Sequence, residues 1–478
     1  MLVSRPTKMT DADDERPTAF DEGSFRDPLS RVVHAQDRVL RVLRGDGVAD
    51  FETLESSAFW TDAQAAGSVV ATGRTEVPNA LGESGWEAAL EHERIPVISY
   101  PYEWTFSMLQ DAALQQLRLT RMALADRLLT KDATPFNSQF VGAAPVFVDV
   151  GSFERLRPNE PWRGYRQFCE LFYNPLLLQA VANMPFQPWL RGSLRGISPE
   201  VTRSLLPTRR RVGRGAFVNV VLHSRLEQKY SDNSRDVTGE IRRAGFNPKL
   251  IDSQLAKLEK VVGGLDWAEA SSTWSEYTDR SHYGEKDLDA KATFVDEVAS
   301  AVPRSQVLDL GANDGYFSRI ASEHADYVIA VDSDALVIDR LYRSLRAEGN
   351  RSVLPLYSDL VDSSPSLGWR SQERPAFTSR VSPDLVLALA LVHHLAITDT
   401  VPLVEVVAML RDYDCEVVVE FPTREDPMVR RLLQRKRSGL FDHYSLESFE
   451  DALASRFDIV RREHLPSTTR HLFHVRPR

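Results

Sequence analysis

The chain has 478 residues, too many for one ordinary hydrophobic core, so two or three domains are expected. A hydrophobic share of 42% with 26% charged residues is that of a soluble globular protein, and a net charge of −10 argues against general nucleic-acid binding. Two cysteines, Cys169 and Cys415, exclude a disulfide scaffold and a cysteine-built zinc site, which suits a reducing cytoplasm.

Residues 1–30 are polar, with Asp11, Asp13, Asp14, Glu15 and Arg16 clustered and no apolar stretch of the kind a signal peptide needs. They are predicted to form a disordered tail on a cytoplasmic protein, with Met9 as an alternative start. Residues 31–246 read as an α+β domain. Gly67–Arg74 and Ile95–Tyr100 are strand-like, and 106–129 forms a long amphipathic helix with Phe106, Leu109, Ala113, Leu117, Leu124 and Leu128 on one face. Then come Lys131-Asp132 through Asn137, a short strand pair, and Val146-Phe147-Val148-Asp149-Val150-Gly151.

This order resembles the centre of the protein-kinase and aminoglycoside-phosphotransferase fold. The resemblance implies Asp132 as the base for a hydroxyl, with Asn137 and Asp149 holding magnesium. Between residues 30 and 95 the glycine-rich phosphate loop and the Val-Ala-x-Lys strand of that family are missing. Arg74 cannot simply replace a phosphate-binding lysine. The expectation is a kinase-like lobe that does not turn over ATP. A phosphotransferase, or a bifunctional kinase–methyltransferase using ATP and magnesium, is the alternative.

The basic run Pro207–Arg214 reads as a solvated loop or as a contact for a phosphate or carboxylate on an acceptor. Residues 247–300 are expected to be a helical linker, with Ile251, Leu255, Leu258 and Val262 in register on one face. Trp274, Tyr277, Tyr283 and Lys291 lie just before the last domain, where the aromatics would roof a ligand or pack.

From 301 to 478, apolar strands alternate with helical patterns, the signature of a doubly wound α/β domain. Strands are predicted at 307–310, 328–331, 353–357, 384–391 and 416–419, with helices at 316–323, 339–347 and 427–438, and a closing hairpin from 457–461 and 471–475. In the last helix Arg430, Arg431, Arg435, Lys436 and Arg437 read as a wet face. The longest apolar run, Leu385–Val392, is far short of a membrane span.

The first strand ends in Asp309-x-Gly311-x-Asn313-x-Gly315, and Asp332 closes the second, seventeen residues beyond Gly315. Glycines let the backbone turn tightly, and a carboxylate there can accept two ribose hydroxyls. The pattern resembles motif I of the class I S-adenosylmethionine (SAM) methyltransferases, although Asn313 stands where glycine is common. The resemblance implies a Rossmann-like domain with SAM as cofactor. It also implies that Asp309, Gly311, Asn313, Gly315, Asp332, Ser358 and Asp359 contact it. The segment after strand four faces the methyl group in this family, so His393 or His394 would be a general base, with Glu420 a second candidate. Beyond that pair no cluster has ligand spacing, so no metal is expected.

Longer strings, including Tyr100-Pro101-Tyr102-Glu103-Trp104, Val148–Glu154, Tyr165–Cys169 and Leu387–Leu395, resemble bacterial two-part proteins of the NoeA nodulation type. That resemblance covers roughly residues 90–478 and implies SAM use without naming an acceptor. The expected activity is methylation of a small-molecule acceptor, with the N-terminal domain assisting its recognition. A non-catalytic SAM-binding interaction protein is the remaining alternative.

Overall fold

The computed structural model describes residues 18–206, 247–267 and 285–478. The basic run 207–214 and the aromatics Trp274, Tyr277 and Tyr283 lie outside them. Residues 18–30, within the stretch expected to be a tail, are structured. There β1 (Ala19–Phe20) pairs with β2 (Ser30–Ala35), and the Arg31 guanidinium stacks 3.9 Å from the Phe20 ring. With β3 (Arg38–Leu43), β4 (Thr72–Thr75) and β5 (Ala88–His92) they form an antiparallel sheet of order β1-β2-β3-β5-β4. Two helices, α1 (Asp46–Glu55) and α2 (Ala58–Ala65), connect β3 to β4.

Ile95–Tyr100 does not join a ladder. Pro96 and Pro101 lack the N–H a strand needs. The backbone of Ser99 instead exchanges hydrogen bonds with the Gln139 amide at 2.8 and 3.1 Å. Helix α3 (Phe106–Ala125) starts at Thr105, whose hydroxyl accepts from the Met108 N–H. It stops short of Leu128 because Arg127 turns left-handed at φ 58°. Leu128 therefore enters β6 (Leu128–Thr130), which pairs with β9 (Phe153–Arg155) around the hairpin of β7 (Ser138–Val141) and β8 (Ala144–Phe147).

The linker helix α4 (Pro248–Gly263) buries Ile251, Leu255, Leu258 and Val262, the face its spacing predicts. It packs on α3, where Arg121 bonds Asp252 at 2.8 Å and Glu259 at 2.7 Å. It is part of the core and not a free connector. Helix α5 (Glu285–Ser300) likewise buries Phe294, Val295, Val298 and Ala299 and packs on α6 (Tyr316–Ser322).

The C-terminal sheet holds β10 (Arg304–Leu310), β11 (Ala325–Asp332), β12 (Val353–Tyr357), β13 (Leu385–Ala388), β14 (Glu416–Pro422), β15 (Phe457–His464) and β16 (Arg470–Pro477). Its order is β12-β11-β10-β13-β14-β16-β15, with the first five strands parallel and β16 antiparallel to both neighbours. That reversed last hairpin on a doubly wound sheet is the class I methyltransferase topology. The chain turns back between β10 and β13, and ligands of such sheets bind beyond the carboxyl ends at that point.

Residues of both halves share the main core, while the first sheet with α1 and α2 packs around two smaller ones. Helix α7 (Ala335–Ala347), which follows Asp332, presents the buried Asp339 to the first turn of α3. Its carboxylate accepts from the Ser107 N–H at 2.8 Å and the Ser107 hydroxyl at 3.0 Å. At the β7–β8 turn the Gly142 N–H donates to Tyr327 Oη at 2.9 Å. A Cβ on Gly142 would lie 2.4 Å from the Arg351 Cα, so only glycine lets the backbones approach.

Candidate active site

The turn after β10 is stitched to β11. Gly311 (φ 78°) and Ala312 donate their N–H groups to the Val331 carbonyl at 2.9 and 3.0 Å. Asn313 is also left-handed, at φ 50°, a conformation asparagine tolerates, and its N–H donates to Asp332 Oδ2 at 2.9 Å. The other Asp332 oxygen accepts from the Asp334 N–H at 2.8 Å. Gly315 (φ 76°) precedes α6, and a Cβ there would meet the Leu341 side chain at 2.6 Å.

A cavity of about 530 Å³ opens over this turn. Asp309, Gly311, Asn313, Asp332, Ser358 and Asp359 all line it, while Gly315 stands behind as the helix start. The buried Asp309 accepts from the Ser318 hydroxyl at 2.6 Å, and burial together with the Asp332 and Asp314 charges pushes its carboxyl up to about 7. Burial also raises Asp332, against the pull of its backbone donors. Ser358 is fixed by its N–H on the Asp332 carbonyl at 2.9 Å, yet its buried hydroxyl has no hydrogen-bond partner among the described residues. One Asp359 oxygen accepts from the Val361 N–H at 3.0 Å. A row of acceptors with an unsatisfied buried hydroxyl fits S-adenosylmethionine. Asp332 would hold the ribose, Ser358 and Asp359 the adenine side, and Asp309 the methionine side.

Across the cavity lies the segment after β13. Ala390 is held left-handed, at φ 51°, while its N–H donates to Glu420 Oε2 at 2.8 Å. His393 and His394 follow and line the cavity, their rings 4.1 Å apart. Burial and neighbouring positive charge lower both, His394 to about 4 and His393 well below its usual range. Both rings are therefore neutral near pH 7.

Glu420 does not line the cavity. It is fully buried, with Oε2 on Lys291 Nζ at 2.7 Å and Oε1 on Arg470 Nη1 at 2.9 Å. Burial pushes its carboxyl up, but the two cations prevail and hold it at about 2. Arg470 also forks onto Asp426 at 2.6 and 3.1 Å. Lys291, Asp426 and Arg470 all line the cavity, and sequence reasoning gave none of them a part in the site, reading Asp426 only as the cap of the following helix, where it does accept from the Met428 N–H at 2.9 Å. A carboxylate ending an apolar strand was the available signal, since it cannot be buried without cations. Asp296, Glu323 and His324 also bring their ligand atoms within 4.8 Å of one another, but none of them lines the cavity.

These shifts set a pH dependence. In the unfolded chain His394 titrates near 6.5, but in the fold at about 4, so acid is taken up first by the unfolded state. His394 alone is expected to cost on the order of 2–3 kcal/mol of stability from pH 6.5 to 4, while Asp309, at about 7 in the fold, takes up its proton first in the folded state and offsets that loss over the same window. A further loss sets in below 4.5 as Glu420, at about 2 in the fold, loses its advantage. Urea midpoints of the wild type and of His394→Gln measured from pH 8 to 3 check this: the variant should lose less stability on acidification, and a difference that does not change with pH would contradict the buried placement of His394.

Among the described residues no helix is long and apolar enough to cross a membrane. No protein-family model matches the chain. It is 35% identical to the nodulation protein NoeA of Rhizobium meliloti (strain 1021) over 456 residues, 94% of each chain. Among solved structures it is similar to the N-methyltransferase NodS of Bradyrhizobium japonicum WM9, with 13% identity, 42% of this chain, 97% of that one and a TM-score of 0.30. A similar likeness links it to the magnesium protoporphyrin IX methyltransferase of Synechocystis PCC 6803, with 16% identity, 44% and 90% coverage and a TM-score of 0.30. The strand order and reversed hairpin, not these partial likenesses, define the fold. With its identity to NoeA spread along nearly the whole chain, the protein belongs to the NoeA nodulation-protein family, and its C-terminal half has the strand order of the class I methyltransferase fold.

Proposed function

We propose that the protein methylates a small-molecule acceptor, that His393 or His394 takes the acceptor's proton, and that the N-terminal half assists acceptor recognition. The observation that carries this reading is the division of one cavity between a carboxylate-lined end and a histidine-lined end. When bound, the cofactor supplies an electrophilic methyl group. Either histidine is neutral at pH 7 and can accept a proton from a hydroxyl or amine held against that group. Glu420 becomes a positioning residue, because its oxygens are already taken by Lys291, Arg470 and the Ala390 N–H. A small acceptor suits a chain of charge −10 better than nucleic acid does.

The test is methyl transfer from labelled SAM into fractionated small molecules, followed against pH. His394→Ala or His393→Ala is expected to slow it by about 10²–10⁴-fold. If both variants keep wild-type rates and profiles, the base lies elsewhere. A non-catalytic SAM-binding protein would label nothing in any fraction.

For the N-terminal half the proposal is kinase-like topology without ATP turnover. Strand order β1-β2-β3-β5-β4, the long α3 and the β6–β9 pair around a hairpin support the topology. Two ion pairs argue against turnover. Arg41 of β3 sits 3.1 Å from Asp149, the acid that would hold magnesium, and Lys131 sits 2.8 Å from Asp27. Calorimetry with ATP and magnesium is expected to show no binding at this cleft. Magnesium-dependent phosphate transfer that disappears in Asp149→Ala would overturn the inactivity and promote the bifunctional reading.

A further inference from the structure

The lysine and arginine side chains that line the cavity gather on one side of it. Around the ends of β10–β12 the charged lining groups are Asp309, Asp314, Asp332 and Asp359, and none of the lining residues there is a lysine or arginine. That end suits a cationic cofactor. Toward β13 and β14 the lining cations are Lys291, Arg470 and Arg431. The first two are engaged inside the protein by Glu420 and Asp426.

Arg431 is different. It sits on α8 (Pro427–Leu433), its side chain is exposed, and it makes no ion pair or side-chain hydrogen bond among the described residues. Its sequence neighbours Arg430, Arg435 and Arg437 form the wet face that composition predicts, but the fold puts this one arginine in the cavity wall. The same basic segment closes back on the cavity, since Lys436 Nζ donates to the Thr398 carbonyl at 3.4 Å, and Thr398 and Asp399 are lining residues. Asp399, the remaining lining acid on this side, lies in the fields of both Asp359 and Lys436.

Resting on the methyltransferase reading of the cavity, we propose that Arg431 selects an anionic acceptor, a small molecule bearing a carboxylate or phosphate that its guanidinium takes while the reacting atom lies toward the histidines. The guanidinium is planar and always charged, and its fork of donors matches both anions. A neutral or cationic acceptor would lack that charge-assisted contact, which discriminates against it.

The experiment uses the full chain saturated with S-adenosylhomocysteine and treated with phenylglyoxal, an arginine-selective reagent, with modified positions mapped by mass spectrometry. Inorganic phosphate and benzoate are the probes. Either anion is expected to slow modification of Arg431 roughly tenfold, as a charge-assisted contact would, while Arg430, its exposed neighbour on the same helix, reacts as before. Protection by benzoate alone assigns a carboxylate, and protection by phosphate alone a phosphate. Arg431→Ala should bind S-adenosylhomocysteine as the parent does and lose the calorimetric signal of the protecting anion. If neither anion protects Arg431, or if Arg430 is protected equally, the inference falls while the methyltransferase reading stands. If S-adenosylhomocysteine itself does not bind, it is the methyltransferase reading that falls.

Discussion

Replacing Glu420 by alanine is expected to destabilise the protein by about 3–5 kcal/mol, the cost of breaking a buried ion pair by removing one partner. Glu420 is 0% exposed and its partners Lys291 and Arg470 are 2% and 7% exposed, so water cannot take its place. Arg470 keeps Asp426 as a partner, whereas Lys291 loses its direct carboxylate contact. The Ala390 N–H also loses its acceptor, which frees the left-handed residue that leads into His393. Urea unfolding at pH 7 measures the change. A loss under about 1 kcal/mol would mean that the pair contributes no more than an exposed one.

Asp332→Ala is expected to weaken SAM binding by roughly 1–3 kcal/mol, or about 5- to 150-fold, because ribose hydroxyls lose a charged acceptor. The carboxylate also ties the Asn313 N–H to the end of β11, so the variant loosens the glycine turn as well. Asp332→Asn separates the two effects. It keeps an oxygen for the backbone donors and loses the charge, so it should fall between wild type and alanine. Unchanged affinity in a folded Asp332→Ala protein would remove Asp332 from the ribose contact.

How legible the site was depends on how local its cause is. Gly311, Gly315 and Asp332 could be read from sequence because a tight left-handed turn and a strand-ending carboxylate are properties of a few adjacent residues. The same holds for the parallel strands, whose continuous apolar runs need no partner to be recognised. Ile95–Tyr100 was misread as a strand because alternation outweighed the missing donors of Pro96 and Pro101. Helix α3 was drawn four residues too long because Leu128 keeps the helical spacing while Arg127 leaves the helix. The Lys291–Glu420–Arg470 cluster joins positions 129 and 50 residues apart, so no local pattern announces it. Arg431 is the sharpest case. Composition puts it in a solvated basic face, and only the path of the chain after β14 brings it to the cavity.

Calorimetric titration of the full chain with SAM tests the cofactor assignment most directly. One saturable site per chain is expected, displaced by S-adenosylhomocysteine and weakened in Asp332→Ala. A folded protein that gives no heat and no thermal stabilisation with either compound would contradict it.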